Sequence, residues 1–393
     1  MRVVSIIAAS AVLAGCAHAG GSPALPSGYG APLAVPNASF KSLYSFKSIP
    51  DGMEPAGGMV VLNGTLYGTT QVGGQGDAGA VFASSTAGNE RVLYSLGTGG
   101  GADGVFPVAG LVVLNGIFYG TATSGGQNGF GAVFKIDKSG KESLVYSFKG
   151  SNDGSGPYAA LTPYKGALYG TTIQGGGSSK CPQGCGTVFE VTTAGKEHVV
   201  YAFKGASDGA APVSNVIAVN SALFGTTADG GKNGTGTIFK TSTAGKEQVL
   251  HSFGSGLDGS EPEAGLVNLN GKLYGTTNSG GQHANGTVFS TTTAGGEHVV
   301  YDFKGGSDGA NPEANLIAVK STLYGTTAGG GTAGLGTVFS VSPSGSEHAL
   351  HAFKSSSEGS DPRAPLVADG GSLYGTTSMG GTTGVGTIFK VTP

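Results

Sequence analysis

The run "LYGTT", or a close variant, recurs seven times, with its aromatic at Tyr67, Tyr119, Tyr169, Phe224, Tyr274, Tyr324 and Tyr374. The copies are 52, 50, 55, 50, 50 and 50 residues apart. Each has the same companions. A proline stands upstream (Pro55, Pro107, Pro157, Pro212, Pro262, Pro312, Pro362), and a Gly-Gly pair follows, from Gly73-Gly74 to Gly380-Gly381. Then come "GTVF" or a variant and, after the first six copies, an "AGKE"-like turn and a "VLYSF"-like run. Repeats of about 50 residues must each be one supersecondary unit that buries its apolar face against its neighbours.

Four short strands account for each unit. Strand A follows the proline, as in "EAGLVNLN", and ends in a two-residue turn that is Asn-Gly at Asn63, Asn115 and Asn270, a strong hairpin signal. Strand B is "KLYGTT", strand C "GTVFKV" and strand D "HVVYAFK". No apolar period of 3.6 residues runs through these units. The expected fold is all-β, a seven-bladed β-propeller of four-stranded blades. A solenoid is the alternative, but no polar end caps of the kind solenoids carry are visible. The seventh unit has A, B and C and then the chain ends at "GTIFKVTP", whereas Phe40–Phe46, "FKSLYSF", resembles a D strand with no A, B or C before it. Residues 40–46 are therefore expected to complete the last blade, closing the ring and removing an exposed edge.

The recurring "LYGTT..GG...GTVF" with its preceding "DG..P" resembles the GloVer tandem repeat of exported bacterial proteins, the choice-of-anchor tandem repeat GloVer-containing family. The resemblance spans residues 40–393. It implies an exported repeat protein with one of several anchor types, and it implies no established activity and no catalytic residues.

The N-terminus points to export independently. Arg2 precedes the apolar run "VVSIIAASAVLAG", too short to span a bilayer as a mature helix, and the run ends in Leu13-Ala14-Gly15-Cys16. This resembles a bacterial lipobox, which makes residues 1–15 a signal peptide and Cys16 the lipid attachment site. Several acyl chains hold a protein stably where one is marginal. Ordinary secretion with cleavage after Ala17-His18-Ala19 is the alternative. Residues 16–39 read as the lipidated Cys and a Pro/Gly-rich tether, and 40–393 as the propeller. No sorting tail follows the last repeat, which leaves Cys16 as the anchor. Ala17 after the Cys points to the outer membrane where there is one. A net charge of −3 without basic clusters disfavours nucleic-acid binding, which depends on neutralising phosphates. The ring is expected to act as a monomer.

Most residues that invite a chemical reading are periodic. Gly205-Ala206-Ser207-Asp208-Gly209 and its copy at 305–309 match G-x-S-x-G, but no helix follows to make a nucleophile elbow. An acidic residue before Gly recurs at Asp51, Asp103, Asp153, Asp208, Asp258, Asp308 and Glu358. Seven-fold recurrence favours a turn, with the carboxylate accepting backbone N–H bonds, over a ring of cation sites. The Gly-Gly loops lead into strands, so they are read as tight turns rather than phosphate cradles. His198, His298 and His348 share one D-strand position, and His251 and His351 replace a tyrosine; all are expected at the surface, too far apart to share a metal. Glu90, Glu142, Glu197, Glu247, Glu297 and Glu347 are expected to be structural. No metal or cofactor is expected. Cys181 and Cys185 lie in an insertion in the third Gly-Gly loop, and an exported context favours a disulfide between them.

The position after the repeat proline breaks the periodicity. It reads Ala56, Val108, Tyr158, Val213, Glu263, Glu313 and Arg363, with Asp361 nearby. With strand A innermost, these residues fall at the channel mouth. Tyr158, Glu263, Glu313, Asp361 and Arg363 are therefore the candidate ligand site. The function expected is a non-enzymatic binding scaffold on the cell envelope, for protein or glycan. The alternative is an envelope glycan hydrolase or lyase using the Glu263/Glu313 pair, since glycosidases work with two carboxylates. The absence of Trp and of any non-periodic Ser or His with partners favours binding over catalysis.

Overall fold

The computed structural model describes residues 38–99 and 103–393. Cys16, the lipobox-like run and the tether through residue 37 lie outside them. The repeats form seven four-stranded antiparallel sheets, each in the order A-B-C-D, arranged as a seven-bladed β-propeller. Blade 5 shows the pattern, with strands Val267–Leu269, Lys272–Thr277, Thr287–Thr292 and Gly295–Asp302. Both central residues of the A-to-B turns at Asn63-Gly64, Asn115-Gly116 and Asn270-Gly271 have positive φ, the geometry that suits the right-handed twist of a hairpin.

Strand A is shorter than its sequence run suggests, at three residues per blade. The preceding stretch, such as Glu263–Leu266, runs irregularly along the axis. Its carbonyl is satisfied by the previous blade, because the first Thr of "LYGTT" donates its hydroxyl across the seam. Thr226 Oγ1 bonds the Ala264 carbonyl at 2.8 Å, and Thr376 Oγ1 bonds the Pro55 carbonyl at 2.9 Å, joining blade 7 to blade 1. The second Thr stays within its blade: Thr227 Oγ1 meets Thr237 Oγ1 at 2.8 Å. The Gly of the motif has a packing role. A Cβ on Gly275 would lie 2.6 Å from the ring of Phe289, its cross-strand neighbour on strand C.

Phenylalanines bind one blade to the next. The strand C Phe of every blade is buried, and in six of the seven seams it meets edge-on the Phe that follows strand D of the preceding blade, as in Phe203–Phe239 at 5.1 Å and Phe353–Phe389 at 5.3 Å. Each such pair adds about 0.5–1.5 kcal/mol beyond the area it buries. Blade 1 uses Leu96 in place of the D-side Phe, packed in one cluster with Phe134.

The ring closes as expected. Ser39–Ser45 pairs antiparallel with Thr387–Thr392, with Phe40 opposite Val391 and Tyr44 opposite Ile388. A bulge skips Leu43, in the same place where strand D of every other blade skips its residue before the Tyr or His, such as Val200. The bulge turns that residue's carbonyl onto the C-to-D turn Gly of the next blade, so close that a Cβ on Gly88 would overlap the Leu43 carbonyl. Phe46 then packs edge-on against Phe82 of blade 1.

A polar seam lies beside this apolar one. Tyr44, Tyr94, Tyr146, Tyr201 and Tyr301 donate their hydroxyls to Asp51, Asp103, Asp153, Asp208 and Asp308 at 2.7–2.9 Å. Each of these carboxylates also accepts a backbone N–H in its own turn, as Asp208 does from Lys204 at 2.6 Å. His251 and His351 occupy the Tyr position and bond Asp258 and Glu358 at 2.8 and 3.2 Å. These two histidines are therefore half-buried between blades rather than on the surface, because they inherit the Tyr role of holding the turn acid. His198 and His298 are exposed and His348 is half-buried. The Glu of the next blade's strand D faces the same acid. Burial and the facing carboxylate raise Glu90, Glu142 and Glu247 to about 7 and Glu197 and Glu347 to about 8. With its proton, such a carboxyl donates to the facing Asp; without it, two like charges share a poorly solvated space.

Candidate functional site: the channel mouth

The D-to-A and B-to-C connections share one face, where they pair through short bridges such as Ser260–Ser279 and Ser360–Met379. The residue before each repeat proline is held with positive φ in all seven blades, including Glu261 (56°), Asn311 (57°) and Asp361 (58°). Two backbone bonds hold it there. Glu261 N–H reaches the Thr235 carbonyl of blade 4 at 2.9 Å, and its own carbonyl accepts from Asn278 at 2.9 Å. Proline disfavours the α region for its predecessor, so this recurring strain fixes the direction of the residue after the proline. No sequence signal other than the proline itself marks that geometry.

All seven residues after the prolines line one cavity of about 370 Å³ at the axis: Ala56, Val108, Tyr158, Val213, Glu263, Glu313 and Arg363. Blades 1, 2 and 4 contribute small apolar walls, blade 3 an aromatic one and blades 5 to 7 charge. Arg363 Nε lies 3.8 Å from Glu313 Oε2, and its Nη2 donates to Asp361 Oδ2. Asp361 is buried below the rim, where Ser378 Oγ donates to its carboxylate at 2.6 Å, so it orients Arg363 rather than facing the cavity. Burial, opposed by Arg363 and aided by Glu263, pushes the Glu313 carboxyl up to about 7. Burial also raises Glu263, against a hydrogen bond from Asn278. Tyr158 is 40% exposed; burial raises its hydroxyl, which also feels the charges of Arg363, Glu263 and Glu313 across the mouth. The structure thus brings Tyr158, Glu263, Glu313 and Arg363 to one cavity, with Asp361 supporting them.

Two further residues sit at this site. Three places after the prolines the column reads Gly58, Gly110, Ala160, Asn215, Gly265, Asn315 and Pro365. The two asparagines interrupt a small-residue ring and reach across blade 5 to each other. Asn315 Nδ2 donates to Asn215 Oδ1 at 2.6 Å, while Asn315 Oδ1 accepts from Gly265 N–H at 2.5 Å. A Cβ on residue 265 would lie 2.6 Å from Asn215 Oδ1, so the bridge requires glycine there. Both asparagines line the cavity. The deviation from small residues was the available signal; the pairing needed the ring.

Cys181 and Cys185 form a disulfide. It stiffens the wall of a neighbouring cavity of about 330 Å³ that shares Val213 with the mouth. The two G-x-S-x-G copies are loops: Ala206–Asp208 is a single 3-10 turn, and Asp208 is occupied by Tyr201 and Lys204. No helix follows either copy, so neither forms a nucleophile elbow.

The architecture defines a β-propeller with a built cavity at the axis of its loop face. The chain matches the Gloeobacter/Verrucomicrobia repeat over residues 3–239, 178–327 and 214–393, and it belongs to that family. No curated protein matches its sequence. Among solved structures it is similar to virginiamycin B lyase from Staphylococcus aureus, with TM-score 0.59, 15% identity, and 91% of this chain and all of that one covered. It is also similar to a puromycin hydrolase, with TM-score 0.52, 10% identity, and 82% of this chain and 50% of that one covered. At such identities the likeness establishes the fold alone.

Proposed function

We propose that this protein is a cell-envelope lipoprotein, anchored through Cys16, whose propeller binds a protein or glycan ligand at the channel mouth without transforming it. The convergence of the seven residues after the prolines on one cavity carries this reading. A rim that only met solvent would have no reason to combine a rigidly held Arg363, a protonatable Glu313 and an aromatic Tyr158. Arg363 and the Glu263 carboxyl suit hydroxyl and amide groups, and Glu313 near 7 can donate or accept. The aromatic ring offers a flat contact for a sugar or a side chain. The tether would place the ring at the membrane surface, on the outer membrane where one exists. As a single closed ring, the protein would act as a monomer.

A glycan hydrolase or lyase is the second reading. Glu313 favours it, since a carboxyl near 7 beside a second carboxylate is the pattern of a general acid. Against it, Glu313 is engaged by Arg363. Thermal-shift screening against glycans and peptidoglycan fragments tests both readings. A ligand that raises the Tm of the wild type but not of Glu263→Ala or Glu313→Ala supports binding at the mouth. Turnover of that ligand, lost in the same variants, overturns the binding-only reading. Stabilisation undiminished in both variants moves the site elsewhere.

A further inference from the structure

We infer that the seam between blades 4 and 5 is a binding site for a divalent transition metal of the zinc class, held by His251, Asp258 and Glu297. One ligating atom from each residue lies within 4.8 Å of the others. His251 Nε2 and Asp258 Oδ2 are already 2.8 Å apart. Ligands bound to zinc at about 2.0–2.2 Å stand only slightly further from one another. One imidazole and two carboxylates form a donor set that suits Zn²⁺, Co²⁺ or Ni²⁺, with water completing the shell. The His251 side chain is 20% exposed, which leaves a path for the ion and its water.

The other seams of the same ring show what is particular here. Glu90, Glu197, Glu247 and Glu347 each face both the Asp and the Tyr of the preceding blade. Glu297 faces Asp258 in the same way, and in all five of these seams the buried Oε1 of the Glu has no hydrogen-bond partner. Asp258 is meanwhile occupied by His251, the backbone N–H groups of Gly254 and Ser255, and the Ser255 hydroxyl. What is particular to the blade 4–5 seam is that its two close carboxylates share the space with an imidazole, where the other such seams have a phenol. A divalent cation neutralises both acids and gives Glu297 its partner. The imidazole binds as the neutral tautomer with its proton on Nδ1, and any proton held by Glu297 or on Nε2 is released to solvent. His351 does not reproduce the site. Phe40 stacks flat on it at 3.8 Å, in the place where the other seams have their Glu, which leaves only Glu358 beside it.

The test uses the full-length protein, treated with chelator and titrated with ZnCl₂ by calorimetry, with Co²⁺ absorption reporting the ligand field. The expected result is one equivalent of Zn²⁺ bound with a rise in Tm. His251→Tyr restores the residue of the other seams, so it should fold normally in the absence of metal and lose the zinc response. Glu297→Gln should weaken zinc binding by roughly 100-fold, since altering even groups that only orient a ligand costs about 10–100-fold. His351→Tyr should bind like the wild type. Zinc binding that persists unchanged in His251→Tyr overturns the assignment, as does a wild type that binds no Zn²⁺ or prefers Ca²⁺.

Discussion

At the residue scale, the seams join an apolar lock to an acid pair, and the acid pair makes stability depend on pH. Glu197 faces Tyr146, Asp153 and Lys149, and Glu347 faces Tyr301, Asp308 and Lys304. Burial and the facing Asp raise both carboxyls from 4.5 to about 8. A group that holds its proton more tightly when folded stabilises the fold fully below its unfolded value. That contribution is lost as pH rises through the folded value. The Tm should therefore fall between pH 5 and pH 9. Glu197→Gln with Glu347→Gln should flatten the profile, because an amide keeps the donor at any pH. At pH 9 the double variant should be the more stable, by on the order of 1 kcal/mol per site once solvent screening of half-buried groups is allowed for. An unchanged profile would show that protons are not shared across the seam. The Gly of "LYGTT" is a second residue-scale device. Gly275→Ala should cost about 1–3 kcal/mol in chemical denaturation by displacing Phe289. A neutral outcome would mean that the ring yields freely.

At the element scale, the segment Ser39–Ser45 decides whether seven blades make a closed ring. It covers the edge at Thr387–Thr392, repeats the D-strand bulge and delivers Phe46 against Phe82. Its removal exposes an unpaired edge at the point where the first and last blades meet. Deleting residues 39–46 should lower the Tm sharply and promote aggregation, whereas deleting 20–36 should leave the Tm unchanged. Equal Tm values for the two deletions would show that closure contributes little. This element was legible in the sequence because "FKSLYSF" matches the other D strands. Phe40 was not: it stands where the other D strands carry Glu, and only the folded ring shows it stacked on His351.

At the scale of the whole molecule, the proposed anchor and the proposed binding face call for separate tests. Cys16→Ser should move the protein from the membrane fraction to the soluble fraction while the Tm of the propeller stays unchanged. Retention of the variant on membranes would refute lipid attachment. The repeats by themselves determined the fold class, the number of blades, the closing strand and the mouth positions. Period and register are local properties, and a one-residue slip would turn every buried side chain outward. Only the tertiary structure decided what those positions meet. It set Asp361 beneath Arg363, bridged Asn215 to Asn315 over Gly265, and drew His251 from an assumed surface position onto Asp258, within 4.8 Å of a Glu297 oxygen. The positions are periodic, Asn215 and Asn315 lying 100 residues apart in one column, but the side chains at them are not, so whether these side chains meet is set by how blades pack around the axis rather than by any pattern along the chain.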